Sequence, residues 1–212
     1  MVVIFWVAVC LVAYTYLGYP AWLWLRSRFS RQRNSYSTAT SRVSIVVPIH
    51  NEERFVTRKV ENLLRLDYPR EQLEIIFVCD GCSDMSVAQL RDFETAGVLR
   101  LFVLPRCGKA EALNHGFQHA TGEILLFTDA RQEICSHAVA ALVRHFADDG
   151  VGCVSGALRL GRRGTESKLS GELLKWNFEN WLRELEGRQG AVIGALGVGT
   201  PFRWDLCCRH NF

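Results

Sequence analysis

The 212-residue chain lacks several of the patterns that identify a nucleotide-binding or repeat fold at once. No G-x-G-x-x-G follows its first apolar strand and no G-x-x-x-x-G-K-S/T occurs, which disfavours dinucleotide-binding and P-loop folds. No internal repeat of the solenoid kind is present. Among the eight cysteines, Cys79 and Cys82 have metal or redox spacing, but no second pair lies at a zinc-site distance. We interpret most of the cysteines as small buried thiols that a cytoplasmic domain keeps reduced.

Acidic residues are absent from the first quarter of the chain. None occurs before Glu52, whereas five arginines do, and the whole chain carries a net charge of only +3. The positive charge therefore forms a short collar rather than a nucleic-acid-binding face, and we expect no nucleic-acid partner. The arginines of this collar are Arg26, Arg28, Arg31, Arg33 and Arg42.

Residues 1–25 contain no charged side chain. As a helix, 2–25 would be about 36 Å long at ~1.5 Å per residue, enough to cross a ~30 Å hydrocarbon core. Tyrosines and tryptophans crowd its second half, as at a membrane interface, and the arginine collar places the domain that follows in the cytoplasm. A cleaved signal peptide is the alternative, but the segment has no positive N-terminal region and no small-residue cleavage site. We expect a single-pass N-terminal membrane anchor.

Short apolar runs alternate with helix-length segments after a polar, Ser/Thr-rich linker at 26–42. Strands that alternate with helices form right-handed crossover units. The pattern predicts an α/β fold with a mainly parallel sheet and helices on both faces. The predicted strands cover 43–48, 75–79, 99–104, 123–128 and 151–158. The predicted helices cover 52–66, 84–95, 109–120, 134–147 and 166–187.

Polar residues directly follow four of the apolar runs. In a parallel sheet, ligands bind beyond the carboxyl ends of the strands, so these residues should lie at one edge. Carboxylates can accept hydrogen bonds from base N–H and ribose hydroxyl groups, and lysine is a point charge suited to phosphate. Turn or cap chemistry is the alternative for Asn51, Asp80 and Asp84 taken singly. The polar segments are 50–52, 80–84, 106–109 and 129–131.

The same segments resemble the motifs of family 2 glycosyltransferases, enzymes of the GT-A fold. VSIVVPIHNEE at 43–53 is similar to the family's opening motif, and FVCDGCSD at 77–84 is similar to its second. GKAEALN at 108–114 is similar to the third, and FTDARQ at 127–132 stands at the position of the D-x-D motif. The ordered set is more specific than any one motif. It predicts a transmembrane anchor at 1–25, a basic linker at 26–42, a GT-A-like nucleotide-sugar-binding domain at 43–196 and a divergent tail at 197–212.

The resemblance implies a nucleotide diphosphate sugar as donor, a glycan or lipid-linked acceptor, and inversion at the anomeric carbon. It also implies that Asp80 and the 48–52 loop hold the nucleoside, and that Lys109 lies near the donor diphosphate. The donor-binding residues implied in this way are Pro48, Asn51, Glu52, Asp80, Lys109, Asp129 and Arg131.

The D-x-D position departs from the family pattern. Two acids commonly help to hold a divalent ion there, Mg²⁺ or Mn²⁺, through oxygen ligands. Asp129 keeps the first acid, but Arg131 replaces the second, and a guanidinium pairs with phosphate instead of coordinating a metal. Asp129 is thus the candidate metal ligand, and the motif leaves the use of a divalent metal open. A salt bridge to Glu133 is the alternative role for Arg131.

The catalytic base of the family is expected in an acidic motif after residue 196. GAVIGAL at 190–196 is similar to the segment that precedes it, but 200–212 does not resemble the continuation. We therefore assign no catalytic residue and expect transfer by this chain to be impaired, as in a truncated or frameshifted enzyme. Two alternatives stay open: a non-catalytic membrane protein that binds nucleotide or a partner, and a nucleotidyltransferase.

Overall fold

The computed structural model describes residues 2–29, 40–148, 150–154, 156, 169–187 and 200–203. The described residues fall into two compact units. The first unit takes its residues from 1–33 and 159–194, and the second from 34–158 and 195–212.

An apolar N-terminal helix and a later amphipathic helix make up the first unit. Helix α1 (Val2–Ala13), a wide π-helical turn (Tyr14–Gly18) and helix α2 (Tyr19–Ser27) follow one another without a break. The wide turn lies just before Pro20, which has no backbone N–H to continue the regular hydrogen bonds. A later helix, Leu169–Gly187, packs on α2, and the Tyr19 hydroxyl donates to Glu186 Oε1 at 2.9 Å.

The N-terminal helix Val2–Ser27 has 26 residues, and an 18-residue window within it has a mean hydropathy of 2.0. Of the helices in the described ranges, it alone is long and apolar enough to cross a membrane. Its large apolar side chains are mostly exposed, as those of a lipid-facing helix are. The segment predicted as an anchor therefore has the length and composition of a membrane span.

A five-stranded sheet forms the centre of the second unit. Its strands are β1 (Val43–Ile49), β2 (Leu73–Asp80), β3 (Arg100–Leu104), β4 (Ile124–Phe127) and β5 (Thr200–Arg203). The spatial order is β3-β2-β1-β4-β5, with β1 to β4 parallel and β5 antiparallel to β4. Val43 lies opposite both Leu73 and Ile124, so the carboxyl ends of β1, β2 and β4 meet at one edge.

Helices cover both faces of this sheet because β1 and β2 carry apolar side chains on both sides. On one face, Val43, Ile45 and Val47 pack against the first, second and fourth helices of this unit, and together they form the larger of two apolar clusters. On the other face, Val46, Ile76 and Val78 pack with Ala112 of the third helix. The helices are α3 (Val56–Leu64), α4 (Ser86–Thr95), α5 (Lys109–His119) and α6 (Ala138–Val143), and α7 is the helix Leu169–Gly187 of the first unit.

The third of these helices approaches the sheet very closely. A Cβ added at Gly116 of α5 would lie 2.4 Å from Val46 Cγ1 and 3.2 Å from Val78 Cγ2. Only glycine lets the helix backbone reach this distance from β1 and β2. The close contact fixes the N-terminus of α5 beside the carboxyl ends of the strands.

The predicted fold class is confirmed, and one predicted strand is wrong. The sheet is mainly parallel with helices on both faces, and the first four predicted strands agree with β1 to β4. Of the predicted strand at 151–158, residues 151–154 and 156 are described, and they form no strand beyond an isolated bridge at Cys153. Among the described residues, the fifth strand, β5, lies instead at Thr200–Arg203, within the segment predicted as a divergent tail.

Candidate functional site

A cavity of about 400 Å³ opens at the edge where β1, β2 and β4 end. Six of the seven predicted donor-binding residues line it, which follows from the shared direction of the parallel strands. Three further polar side chains also line it: His50 and Arg106, which belong to the predicted polar segments but not to the donor-binding residues, and Gln132, which follows the last predicted segment. The predicted residues that line the cavity are Pro48, Glu52, Asp80, Lys109, Asp129 and Arg131.

Asp80, the last residue of β2, is 3% exposed and has three hydrogen-bond donors around its carboxylate. Oδ1 accepts from the backbone N–H groups of Cys107 at 2.6 Å and Gly108 at 3.0 Å. Oδ2 accepts from Arg106 Nη1 at 2.7 Å. The hydrogen bond from the Cys107 N–H, helped by that of Gly108 and the charge of Arg106, lowers the pKa of Asp80 below its usual value. Asp80 therefore stays ionised and ties β2 to the loop that follows β3.

The residue after Asp80 must be a glycine for this arrangement to form. Gly81 has a φ of +60°, and a Cβ at this position would lie 2.8 Å from Arg106 Cβ. A larger residue would be strained in its backbone and would push Arg106 away from the cavity.

Lys109 and Asp129 form the second ion pair of the cavity. Lys109 is the first residue of α5, and its Nζ lies 2.6 Å from Asp129 Oδ1. The lysine side chain is 60% exposed and the aspartate side chain 35%. The pair joins the N-terminus of α5 to the loop after β4, and both partners can reach solvent or a ligand.

Glu52 and Arg131 form the third ion pair. Arg131 Nε donates to both Oε1 and Oε2 of Glu52 at 2.9 Å, and its guanidinium lies 5.3 Å from the ring centre of Phe55. Glu133, the alternative partner considered for Arg131, is paired with Arg58 instead. Each cavity carboxylate of these three pairs thus contacts a cation from another segment of the chain.

Asn51 was predicted to bind the donor, but its side chain does not line the cavity. Its backbone has a φ of 53°, and its Oδ1 accepts from the Ser83 N–H at 2.8 Å. Asp84 has a similar local role, because its two oxygens accept from the N–H groups of Ser86 and Glu53, both at 3.0 Å. The turn-and-cap interpretation therefore describes the contacts of these two residues.

Lys59 is the residue that the sequence interpretation missed most clearly. It is 2% exposed, and its Nζ donates to Thr128 Oγ1 at 2.9 Å and to the Gln132 carbonyl at 2.6 Å. Burial lowers its pKa to about 7. The lysine therefore holds the 128–132 loop in place through these two hydrogen bonds. Its position three residues after Val56 and four before Leu63, on the apolar face of α3, was the available signal.

Cys79 and Cys82 are joined by a disulfide bond, contrary to the expectation that the cysteines are reduced. The bond closes a four-residue turn that contains Asp80 and Gly81. It therefore adds a covalent constraint to the turn that places the Asp80 carboxylate.

The described residues do not fit a resident divalent cation. Nowhere in these ranges do three or more His, Cys, Asp or Glu side chains converge as metal ligands. Asp129, the candidate ligand, already contacts Lys109, and Arg131 stands two residues further on. A divalent cation at Asp129 would therefore lie beside two positive side chains.

Known proteins provide a comparison for this arrangement. The family described as Glycosyl transferase family 2 matches residues 44–201. A beta-monoglucosyldiacylglycerol synthase of Trichormus variabilis is 27% identical over 176 residues, which cover 80% of this chain and 38% of that protein. A poly-beta-1,6-N-acetyl-D-glucosamine synthase of Staphylococcus epidermidis is 26% identical over 166 residues, which cover 76% of this chain and 39% of that protein.

One solved structure is similar over most of the chain. It is the mannosyltransferase PcManGT from Pyrobaculum calidifontis in complex with GDP-Man and Mn²⁺, with a TM-score of 0.75 and 30% identity. The similarity covers 95% of this chain and 56% of that one, and the chain spans less than two fifths of each of the two curated relatives above. Because the family match at 44–201 includes all four segments at the strand ends, the protein belongs to glycosyl transferase family 2.

Proposed function

We propose that the cavity binds a nucleotide diphosphate sugar and that the protein transfers the sugar to a glycan or lipid acceptor, with inversion. The observation that carries this proposal is the convergence of Arg106, Lys109 and Arg131 on one cavity at the carboxyl edge of the sheet. A diphosphate offers several anionic oxygens, and guanidinium and ammonium groups are the side chains that pair with them most strongly. The names of the relatives, a glycolipid synthase and a polysaccharide synthase, support the two acceptor classes.

Lys109 and Arg106 are the proposed diphosphate contacts on one side of the cavity. Lys109 begins α5, so its ammonium group adds to the positive end of the helix dipole and to the free N–H groups of the first turn. Its contact with Asp129 has to loosen or be shared when a phosphate approaches. Arg106 is 59% exposed and can keep one nitrogen on Asp80 while another faces the donor.

Asp80 and the 48–52 loop form the side of the cavity that is proposed to bind the nucleoside. An ionised carboxylate has about four lone-pair positions, and three donors already occupy Asp80. About one position is left for a base or ribose group. The main contribution of Asp80 is therefore to hold Arg106 and the 106–108 loop in place, while Pro48 and Glu52 shape the wall of the cavity.

The N-terminal helix is proposed to anchor this domain to a membrane, with the domain on the cytoplasmic side. Val2–Ser27 supplies the span, and the arginine collar that follows it supplies the positive-inside signal. A membrane anchor would keep the cavity close to a lipid acceptor.

Binding of the donor tests the proposal most directly. Full-length protein in detergent is titrated with UDP and GDP, and with their sugar conjugates, in a calorimeter. We expect Lys109→Gln to raise the Kd of the preferred nucleotide about tenfold, the effect of losing one charge-assisted hydrogen bond. Arg58→Gln is the matched control, because Arg58 pairs with Glu133 outside the cavity lining and should leave the Kd unchanged.

Activity assays, together with the binding data, separate the alternative functions. Sugar transfer from a radiolabelled donor to membrane lipid or glycan supports the proposal. Tight binding without transfer would favour a non-catalytic nucleotide-binding protein. Release of pyrophosphate from a nucleoside triphosphate would favour a nucleotidyltransferase, and equal Kd values for the native protein and Lys109→Gln would contradict the site.

A further inference from the structure

Arg131 occupies the position at which the D-x-D motif has its second acid, and its guanidinium is held at one end only. Both of its contacts with Glu52 use Nε, at 2.9 Å to each carboxylate oxygen. Within the described part of the chain, Nη1 and Nη2 make no hydrogen bond, and the side chain is 66% exposed. The outer edge of the guanidinium is therefore available to a ligand of the cavity that it lines.

Glu52 is itself fixed, so the position of Arg131 is fixed with it. The glutamate side chain is only 15% exposed, and the Glu52 N–H donates to Ser86 Oγ at 3.0 Å. The ring of Phe55 lies 5.3 Å from the guanidinium carbon. An arginine held in this way presents two parallel N–H groups, the geometry that pairs bidentately with phosphate.

The same contacts work against a divalent cation at this end of the cavity. Both Glu52 oxygens face Arg131, and Asp129 Oδ1 faces Lys109 at 2.6 Å. The buried ammonium group of Lys59 lies beneath the same loop, where it donates to Thr128 Oγ1 and the Gln132 carbonyl. A divalent cation would have to displace the Arg131 and Lys109 side chains or lie next to them, whereas a phosphate group would be attracted to both.

We propose that Arg131 takes the place of a divalent cation at this site, so that the donor diphosphate binds to its guanidinium without a metal. This inference rests on the proposed function, because it concerns the donor of that reaction. It assigns Glu52 as the residue that positions Arg131 and not as a ligand of the nucleoside.

Nucleotide binding with and without metal tests the inference. UDP and GDP are titrated into full-length protein in EDTA and again in Mn²⁺. We expect the native Kd to change less than about twofold between the two conditions, and Arg131→Gln to raise the Kd in EDTA about 10- to 100-fold. Arg131→Asp, which restores the acid of the family motif, should bind poorly in EDTA and recover in Mn²⁺.

Two controls keep the result interpretable. Arg58→Gln removes an exposed, glutamate-paired arginine that does not line the cavity, and it should bind like the native protein in both conditions. Glu52→Gln leaves Arg131 in place but releases it, and it should weaken binding less than Arg131→Gln does. Native binding that requires Mn²⁺, or an unchanged Kd for Arg131→Gln in EDTA, would overturn the inference while the proposed function stands. If neither UDP nor GDP bound in EDTA or in Mn²⁺, the proposed function and the inference would both be overturned.

Discussion

Replacement of Asp80 by asparagine should destabilise the second unit far more than its small change in volume suggests. The carboxylate accepts from two backbone N–H groups and from Arg106, and it is 3% exposed. The amide of Asp80→Asn keeps one oxygen for the N–H groups of Cys107 and Gly108 but turns its NH₂ group toward Arg106. The charge-assisted bonds weaken and two donors face each other. Hydrogen bonds to charged groups contribute about 1.5–3 kcal/mol each, so a loss of about 2–4 kcal/mol is expected at pH 7.

The pH dependence of this loss has a definite sign. The pKa of Asp80 is lowered in the folded protein, chiefly by the Cys107 N–H, so the unfolded state holds the proton more tightly. The carboxylate therefore contributes its full stabilisation above about pH 5 and loses it as the pH falls through the folded pKa. The difference in unfolding free energy between native protein and Asp80→Asn should be constant above about pH 5 and shrink in acid.

Urea unfolding followed by far-UV circular dichroism at several pH values measures this difference. Hydrogen exchange of the Cys107 and Gly108 amides reports the two backbone bonds directly, and both should exchange faster in Asp80→Asn. Glu133→Gln is the matched control, since this carboxylate also pairs with an arginine but is 56% exposed, and its loss should cost less than about 1 kcal/mol. A loss in Asp80→Asn no larger than in the control, or one that does not change in acid, would refute the reasoning.

Three further predictions concern burial, packing and the membrane. Because the pKa of Lys59 is about 7 in the folded protein, the free energy of unfolding should rise between about pH 7 and 10, where the unfolded lysine keeps its proton and the folded one loses it. In urea unfolding, Lys59→Met should flatten this rise, whereas Lys175→Met, at an exposed position, should leave it unchanged. Gly116→Ala should destabilise by about 1–3 kcal/mol in the same assay because its Cβ would lie 2.4 Å from Val46 Cγ1, whereas the exposed Gln118→Ala on the same helix should be neutral. The full chain should stay in membranes after carbonate washing, and protease should digest its second unit only from the cytoplasmic side. Release by carbonate would contradict the anchor, and protection from cytoplasmic protease would contradict its orientation.

The sequence predicts the parts of the fold that depend on local pattern. β1 and β2 are uninterrupted apolar runs, and each is followed by polar residues, so the sheet and its ligand-binding edge could be placed in advance. The run at 151–154 is also apolar, but periodicity does not say which run finds a partner strand. β5 is only four residues long and contains Pro201, which makes it hard to predict as a strand.

The sequence predicted most of the residues that form the site but not which of them pair with each other. Glu52 and Arg131 are 79 residues apart in the chain, and nothing local to either residue indicates the other. Lys59 was missed because a charged residue is expected to be exposed, and only the apolar face on which it stands contradicts that expectation. The disulfide was missed because the compartment was taken to decide the state of Cys79 and Cys82, whereas the turn at Gly81 brings the two residues together.

The three cations of the cavity have carboxylate partners before any ligand arrives, and this has a kinetic consequence. At Lys109, a phosphate that enters would exchange one anionic partner, Asp129, for another, so its net gain in free energy would be smaller than that of a phosphate meeting an unpaired cation. The same exchange would run in reverse when a nucleoside diphosphate leaves, because Asp129 would pair with Lys109 again while Asp80 and Glu52 keep Arg106 and Arg131 in place. On the proposed function, this exchange favours rapid release of the nucleotide product.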